Sequence, residues 1–166
     1  LPICIRICAE YGIALAIQSA FIDWPNEPNE YLESILGDRA AKLNPFKTYA
    51  DYGIVQALGS DGPCTDPDPI VWIHKVCNNG AESLTVQQAL KMCTYNTCWM
   101  SFDESERGSL EVGKIADMVI LSGNPYETDV TQLDTLKVGQ LLLQGEPYRK
   151  ITQNPIGQVL KGLVRK

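Results

Sequence analysis

The chain has 166 residues and a net charge of −6 at pH 7, with 45% hydrophobic and 20% charged residues. That balance describes a globular chain rather than a disordered one, amounting to one domain or a piece of a larger protein. The acidic balance, with no basic run, excludes a nucleic-acid partner, and no apolar stretch approaches the roughly 20 residues of a membrane span.

Pro2 to Tyr11 reads as a helix, with Gly12 as its stop. Ile13 to Ile17 follows as a buried strand. The first residue is Leu1, and the chain reads as starting inside a repeating unit, so a fragment of something longer is expected. Gln18 or Asp23 is placed to face a site at the strand's end, against the plainer reading of a solvated loop. Glu30 to Leu36 reads as a short helix. Asn44 is expected to cap the next one, with Pro45 at its first position, a stripe of Phe46, Tyr49 and Ala50, and Gly53 as its end.

Ile54 to Leu58 is an apolar run that fits a strand of a parallel sheet, and Gly59, Gly62 and Pro63 then bend the chain. Asp61 is left just past the carboxyl end of that strand, where the βα loops of α/β proteins converge. A carboxylate there can bind a metal or take a proton from water. The competing reading is a turn aspartate that bonds its own backbone. Helix, strand, helices, strand is the rhythm of a parallel sheet with right-handed crossovers.

Asp68 and Pro69 repeat the cap-plus-proline start. Ile70, Ile73, Val76 and Cys77 form the buried side of that helix, and Gly80 closes it. His74 is the chain's one histidine, so these residues cannot build a multi-histidine metal site; it reads as a packing or surface residue. Thr85 and Gln88 form a capping box, with Leu84 stapled to Ala89. Val86, Ala89, Leu90 and Cys93 make that helix's buried face. Thr94 is expected to cap a further short helix, with Trp99, Met100 and Phe102 in the core.

From Asp103 the pattern turns β-rich. Asp117 to Leu121 reads as a strand, Val130 to Leu133 as a helical turn, and Thr135 to Val138 and Gln140 to Leu143 as strand, with a turn at Gln144-Gly145-Glu146. Asn154 and Pro155 start a final helix, whose apolar face is Ile156, Val159, Leu160, Leu163 and Val164. The six cysteines contain no CxxC pair and read as buried free thiols, which fits a reducing, cytoplasmic setting.

Several of these segments together resemble one family. ALGSDGP (57–63) resembles the last barrel strand of the amidohydrolases, the metal-dependent hydrolases. SLTVQQALKMCTYNT (83–97) is similar to their LT-x-x-x-AL-x-x-x-T-x-N helix pair, and GSLEVGKIADMVIL (108–121) to the signature that re-enters a small β-sandwich. Gly37 to Gly53 looks most like the YtcJ-like branch, of the amidohydrolase 3 type. The resemblance implies an α/β chain made of the last two βα units of a distorted TIM-like barrel plus the C-terminal part of a small β-sandwich. The implied divisions are 1–107 for the partial barrel, 108–148 for the sandwich segment and 149–166 for a helical extension.

The resemblance further implies that Asp61 is the catalytic and metal-binding aspartate, which helps hold a divalent metal, usually zinc, and shuttles the proton of the attacking water. The family's His-x-His pair and mid-barrel lysine have no counterpart here. The expectation is therefore a C-terminal fragment of a metal-dependent hydrolase acting on non-peptide C–N bonds. The parent takes a small amide-type substrate; the chain alone is inactive and binds zinc weakly or not at all. The alternative is a non-catalytic protein-interaction module derived from a truncated amidohydrolase. Exposed sheet edges and unmatched helices point to a homo-oligomer.

Overall fold

The computed structural model describes residues 2–148. The final helix expected over Asn154 to Val164 lies outside the described residues. The order is α1 (Pro2–Glu10), β1 (Leu15–Ile17), α2 (Asn29–Leu36), α3 (Phe46–Asp51), β2 (Gln56–Leu58), α4 (Pro69–Cys77), α5 (Val86–Cys93), α6 (Tyr95–Met100), β3 (Met118–Leu121), β4 (Val138–Leu143) and β5 (Glu146–Pro147). The chain is α/β, as its rhythm predicts.

β1 and β2 pair in parallel, with Leu15 opposite Gln56, Ala16 opposite Ala57 and Ile17 opposite Leu58. The ladder runs on at both ends, from Leu15 N–H to the Val55 carbonyl at 2.9 Å and from Gly59 N–H to the Ile17 carbonyl at 2.9 Å. Alternation turns Ile17 and Leu58 to the same side, where both meet the helices. Leu58 joins Phe46, Trp72, Ile73, Val76 and Met92 in the core, and Leu133 and Leu136 of the β-rich half close it. β3, β4 and β5 form a separate antiparallel sheet in that order.

Helix starts follow local chemistry in two places. The Asp68 carboxylate accepts from Ile70 N–H at 3.0 Å, with Pro69 in the first turn of α4. Thr85 and Gln88 complete the capping box of α5, and Leu84 and Ala89 are both buried beside it.

Two expected caps are not made. Asn44 sits at φ +53, Pro45 takes the cap position of α3 without a side-chain bond, and the Asn44 carbonyl accepts from Asn79 Nδ2 at 2.7 Å. The missing cap is supplied from far along the chain. The Glu82 carboxylate accepts from Thr48 N–H and from Thr48 Oγ1, both at 2.8 Å, which satisfies a free donor of the first turn and suits the helix dipole. Thr94 holds the N-cap position of α6, but its hydroxyl donates back to the Leu90 carbonyl at 2.9 Å and makes no side-chain cap there.

The placement of aromatics at the end of α6 is also corrected. Phe102 is 88% exposed, and Trp99 is exposed as well. Phe102 sits at φ +63, in the turn that leaves α6, and this backbone aims its ring outward. Val86, Leu90 and Cys93 pack against the core as partly buried residues, and Met92 beside them is buried as well. α4 ends at Cys77, capped by Asn78 rather than by Gly80, which opens the next turn. All six cysteines are free, but Cys4 and Cys64 are exposed and only Cys77 is buried outright.

Candidate active site

Both parallel strands deliver their loops to the same end. After β1 the chain enters a short 3-10 turn at Ser19–Phe21. Ser19 is wholly buried and its hydroxyl donates to the Trp72 carbonyl at 3.0 Å, tying the strand's end to α4. Lys75 of α4 donates to the Ile22 carbonyl at 2.7 Å and sits 3.6 Å from the Asp23 carboxylate. Asp23, one of the two residues expected to face a site, is thus part of a loop anchor. Gln18, the other, is half-buried at the base of that turn.

After β2 the chain turns at Gly59-Ser60-Asp61. The Ser60 hydroxyl accepts from Gly62 N–H at 3.1 Å, and the Asp61 carbonyl accepts from Cys64 N–H at 2.9 Å. Thr65 Oγ1 donates to the Ser60 carbonyl. Ser60 therefore closes the turn that the competing reading gave to Asp61. Asp61 is exposed, at φ +52, and among the described residues no donor reaches its carboxylate. An acceptor with no structural duty, at the carboxyl end of a parallel strand, stands where α/β proteins place reacting groups.

An open cleft of about 330 Å³ lies beside this loop, between Ala20 and Trp24 on the β1 side and Pro63, Cys64, Thr65 and Asp66 on the β2 side. Trp24 is fixed edge-on to Phe21, with ring centroids 4.9 Å apart. His74 is not part of this end. Its ring lies 3.7 Å from Asp134 and 3.3 Å from the Asn78 amide, so it packs α4 against the turn at Val130–Thr135. Among the described residues no group of three or more His, Cys, Asp or Glu side chains comes together as a metal site.

The groups with displaced pKa values lie elsewhere. Burial pushes the Cys93 thiol up to about 12 and the Cys77 thiol up to about 11. Burial also raises Tyr49, helped by the charges of Cys8 and Glu82. Hydrogen bonds from Thr131 lower Asp129. Two buried thiols held neutral are packing groups rather than nucleophiles.

The two motif stretches support this end from a distance. Asn96, the closing Asn of LT-x-x-x-AL-x-x-x-T-x-N, donates to the Gln56 carbonyl of β2 at 2.8 Å. Gln56, buried in β2, donates to the Phe46 carbonyl at 3.0 Å. Strand β2 is thereby pinned to α3 and α6 just ahead of Asp61. In GSLEVGKIAD, Gly108 sits at φ +89 against α6, where an added Cβ would come within 2.9 Å of Cys98 Cβ. Lys114 Nζ donates to the Glu104 carbonyl and to Ser109 Oγ, each at 2.6 Å. Asp117 accepts from Arg107 at 3.1 Å and from Gln144 N–H at 2.9 Å. These residues knot a turn. Composition and spacing do not single out Ser19, Ser60 or Gln56; the serine next to a Gly-Asp-Gly-Pro turn is the one local hint, for Ser60.

Paired parallel strands with helical crossovers and a separate small antiparallel sheet define an α/β chain. An adenosine deaminase from Xanthomonas campestris, solved with bound Zn, shares the fold at a TM-score of 0.66, with 19% identity over 99% of this chain and 39% of its own. The chain belongs to the amidohydrolase family, whose model matches residues 5–148. The YtcJ protein of Bacillus subtilis (strain 168) is 29% identical over 156 residues, covering 86% of this chain and 29% of its own length. The N-substituted formamide deformylase of Arthrobacter pascens is 31% identical over 150 residues, covering 85% and 26%. The chain thus spans less than a third of the length of these curated relatives. Among the described residues no helix is long and apolar enough to cross a membrane.

Proposed function

We propose that this chain is the C-terminal part of a metal-dependent amidohydrolase that hydrolyses C–N bonds other than peptide bonds. In this reading, residues 1–107 supply the last two strand–helix units of a distorted barrel. Residues 108–148 supply the C-terminal part of a small β-sandwich, and 149–166 form an extension. The observation that carries the reading is Asp61, exposed at the carboxyl end of β2 and released from turn-keeping by Ser60. From there its carboxylate can accept the proton of an attacking water and return it to the leaving nitrogen. The relation to an N-substituted formamide deformylase supports a small amide-type substrate. The free cysteines support a reducing, cytoplasmic setting.

A zinc relative raises the question of a metal. One exposed carboxylate does not hold zinc, which takes three or four protein ligands, and the described residues bring no such group together. They do not fit a catalytic metal by themselves. The reading therefore expects this chain alone to bind zinc well below one equivalent and to turn over no N-substituted formamide. Metal analysis after zinc loading and dialysis, with an amidase assay alongside, checks both. Stoichiometric zinc with turnover, abolished by Asp61→Asn, would overturn the expected inactivity.

A second reading, a non-catalytic interaction module, is favoured by the same lack of assembled ligands. The two separate in a chimera that carries the earlier barrel strands of the formamide deformylase ahead of this chain. Turnover that depends on Asp61 supports the enzyme, whereas a folded but inert chimera supports the module.

A further inference from the structure

Two loops leave the carboxyl end of the parallel pair, and one residue of α4 fastens both. Trp72 is buried in the core. Its backbone carbonyl accepts from Ser19 Oγ, in the turn after β1, at 3.0 Å. Its indole Nε1 donates to the Asp66 carbonyl, in the loop after β2, at 3.3 Å. A buried indole N–H needs an acceptor, and here the acceptor is the loop's own backbone. The loop after β1 has a further tie one turn along α4, from Lys75 Nζ to the Ile22 carbonyl at 2.7 Å. The cleft between these loops is also lined by Asp68 and Val71 of α4, so one helix sets the spacing of its two walls.

The Asp66 bond reaches Asp61 through short links. Thr65 Oγ1 donates to the Ser60 carbonyl and so joins the two legs of the loop. Cys64 N–H donates to the Asp61 carbonyl at 2.9 Å, and Gly62 N–H to Ser60 Oγ at 3.1 Å. One leg is strand β2, and the other is moored at Asp66 by Trp72. Asp61 stands between them at φ +52, a left-handed conformation that an aspartate tolerates but does not prefer. The bonds around it therefore hold it there.

We propose that Trp72 is a positioning residue, which moors both loops to α4 and thereby fixes where the Asp61 carboxylate stands, an assignment that rests on the role given to Asp61 above. Proton transfer needs the carboxylate within hydrogen-bond reach of the water. A carboxylate displaced by a loosened loop loses rate rather than substrate affinity.

The test is residue-resolved amide exchange by NMR on the full chain and on Trp72→Phe, Thr65→Val and Thr65→Ser. Phenylalanine keeps an aromatic ring in the core and the backbone carbonyl for Ser19, and it removes the indole N–H. In Trp72→Phe the Gly62 and Cys64 amides are expected to exchange about three- to tenfold faster. Ile22 N–H, bonded to the Ser19 carbonyl, and Gly59 N–H, on the strand ladder, keep their rates. Thr65→Val gives the same local acceleration, and Thr65→Ser, which keeps the hydroxyl, does not. Unchanged Gly62 and Cys64 rates in Trp72→Phe overturn the proposal. So does equal acceleration at Gly59 and Ile22, which makes Trp72 a core residue and nothing more. In the chimera with the earlier barrel strands, Trp72→Phe is expected to lower kcat about tenfold at unchanged KM; a raised KM at unchanged kcat overturns the positioning role. An inert chimera counts against the role of Asp61 instead, and the exchange pattern still decides whether Trp72 holds the loop.

Discussion

Lys114→Met tests whether the Gly108–Asp117 motif acts by holding a turn together. The Lys114 side chain is 12% exposed, and its ammonium donates at 2.6 Å to both the Glu104 carbonyl and Ser109 Oγ. Glu111 lies 3.4 Å away but is 66% exposed, so that pair contributes at most about 1 kcal/mol. Methionine keeps much of the apolar length and removes the charge, the donors and the ammonium that lies 5.8 Å from the Tyr95 ring centroid. Hydrogen bonds from a charged donor contribute about 1.5–3 kcal/mol each, and regained desolvation of the ammonium offsets part of the two. The expected net loss is about 2–4 kcal/mol, or roughly 5–15 °C in Tm for a chain of this size. Urea unfolding followed by far-UV circular dichroism reads the loss as a lower midpoint at constant m-value. A change under about 0.5 kcal/mol would refute the reasoning, because that is the scale of an ordinary surface substitution.

Further outcomes are expected. Thr85→Ala removes the capping box of α5 and should cost about 1 kcal/mol in the same unfolding assay; an unchanged midpoint would show that packing of Leu84 and Ala89 alone sets that helix start. Phe46→Ala should cost about 3–5 kcal/mol from a site with no exposure. Phe102→Asn, exposed and at φ +63, should stabilise by about 1 kcal/mol, since Asn tolerates the left-handed region; a loss there would mean the ring is packed. Finally, the raised thiol values make stability pH-dependent. The neutral Cys93 is favoured in the fold, so its contribution is complete below the ordinary thiol value of 9.0 and fades as pH rises toward about 12. Cys93→Ala should flatten the fall in urea midpoint over that window, and thiol reagents should modify Cys4 and Cys64 well before Cys77 and Cys93. An equally steep fall in the alanine variant, or Cys93 labelled as fast as Cys64, would contradict the burial.

The site loop and its support were readable to different depths. Asp61 stands where the apolar run and the Gly-Pro turn place it, because a strand's end is written in neighbouring residues. That Ser60 takes over the turn and leaves the carboxylate free depends on which hydroxyl lies nearer Gly62 N–H, which residue types alone do not decide. Asn44 and Thr94 show the same limit from the other side. Both satisfy the local rule for a helix cap, yet a carboxylate at Glu82 and a carbonyl at Leu90 offered partners that changed the outcome. Exposed Phe102 shows it for packing, since its apolar character says only that burial is favourable and not that neighbours are there to provide it.

The amino-acid order was enough for the α/β rhythm, the caps at Asp68 and Thr85 and the position of Asp61, since each depends on groups a few residues apart. The bonds that fasten this frame join Ser19 to Trp72, Thr48 to Glu82 and Gln56 to Asn96, across 53, 34 and 40 residues. Only the folded chain shows these pairs. A hydroxyl, amide or carboxylate is equally able to bond water or many backbone groups, and it is the closure of long loops around one apolar core that selects its partner.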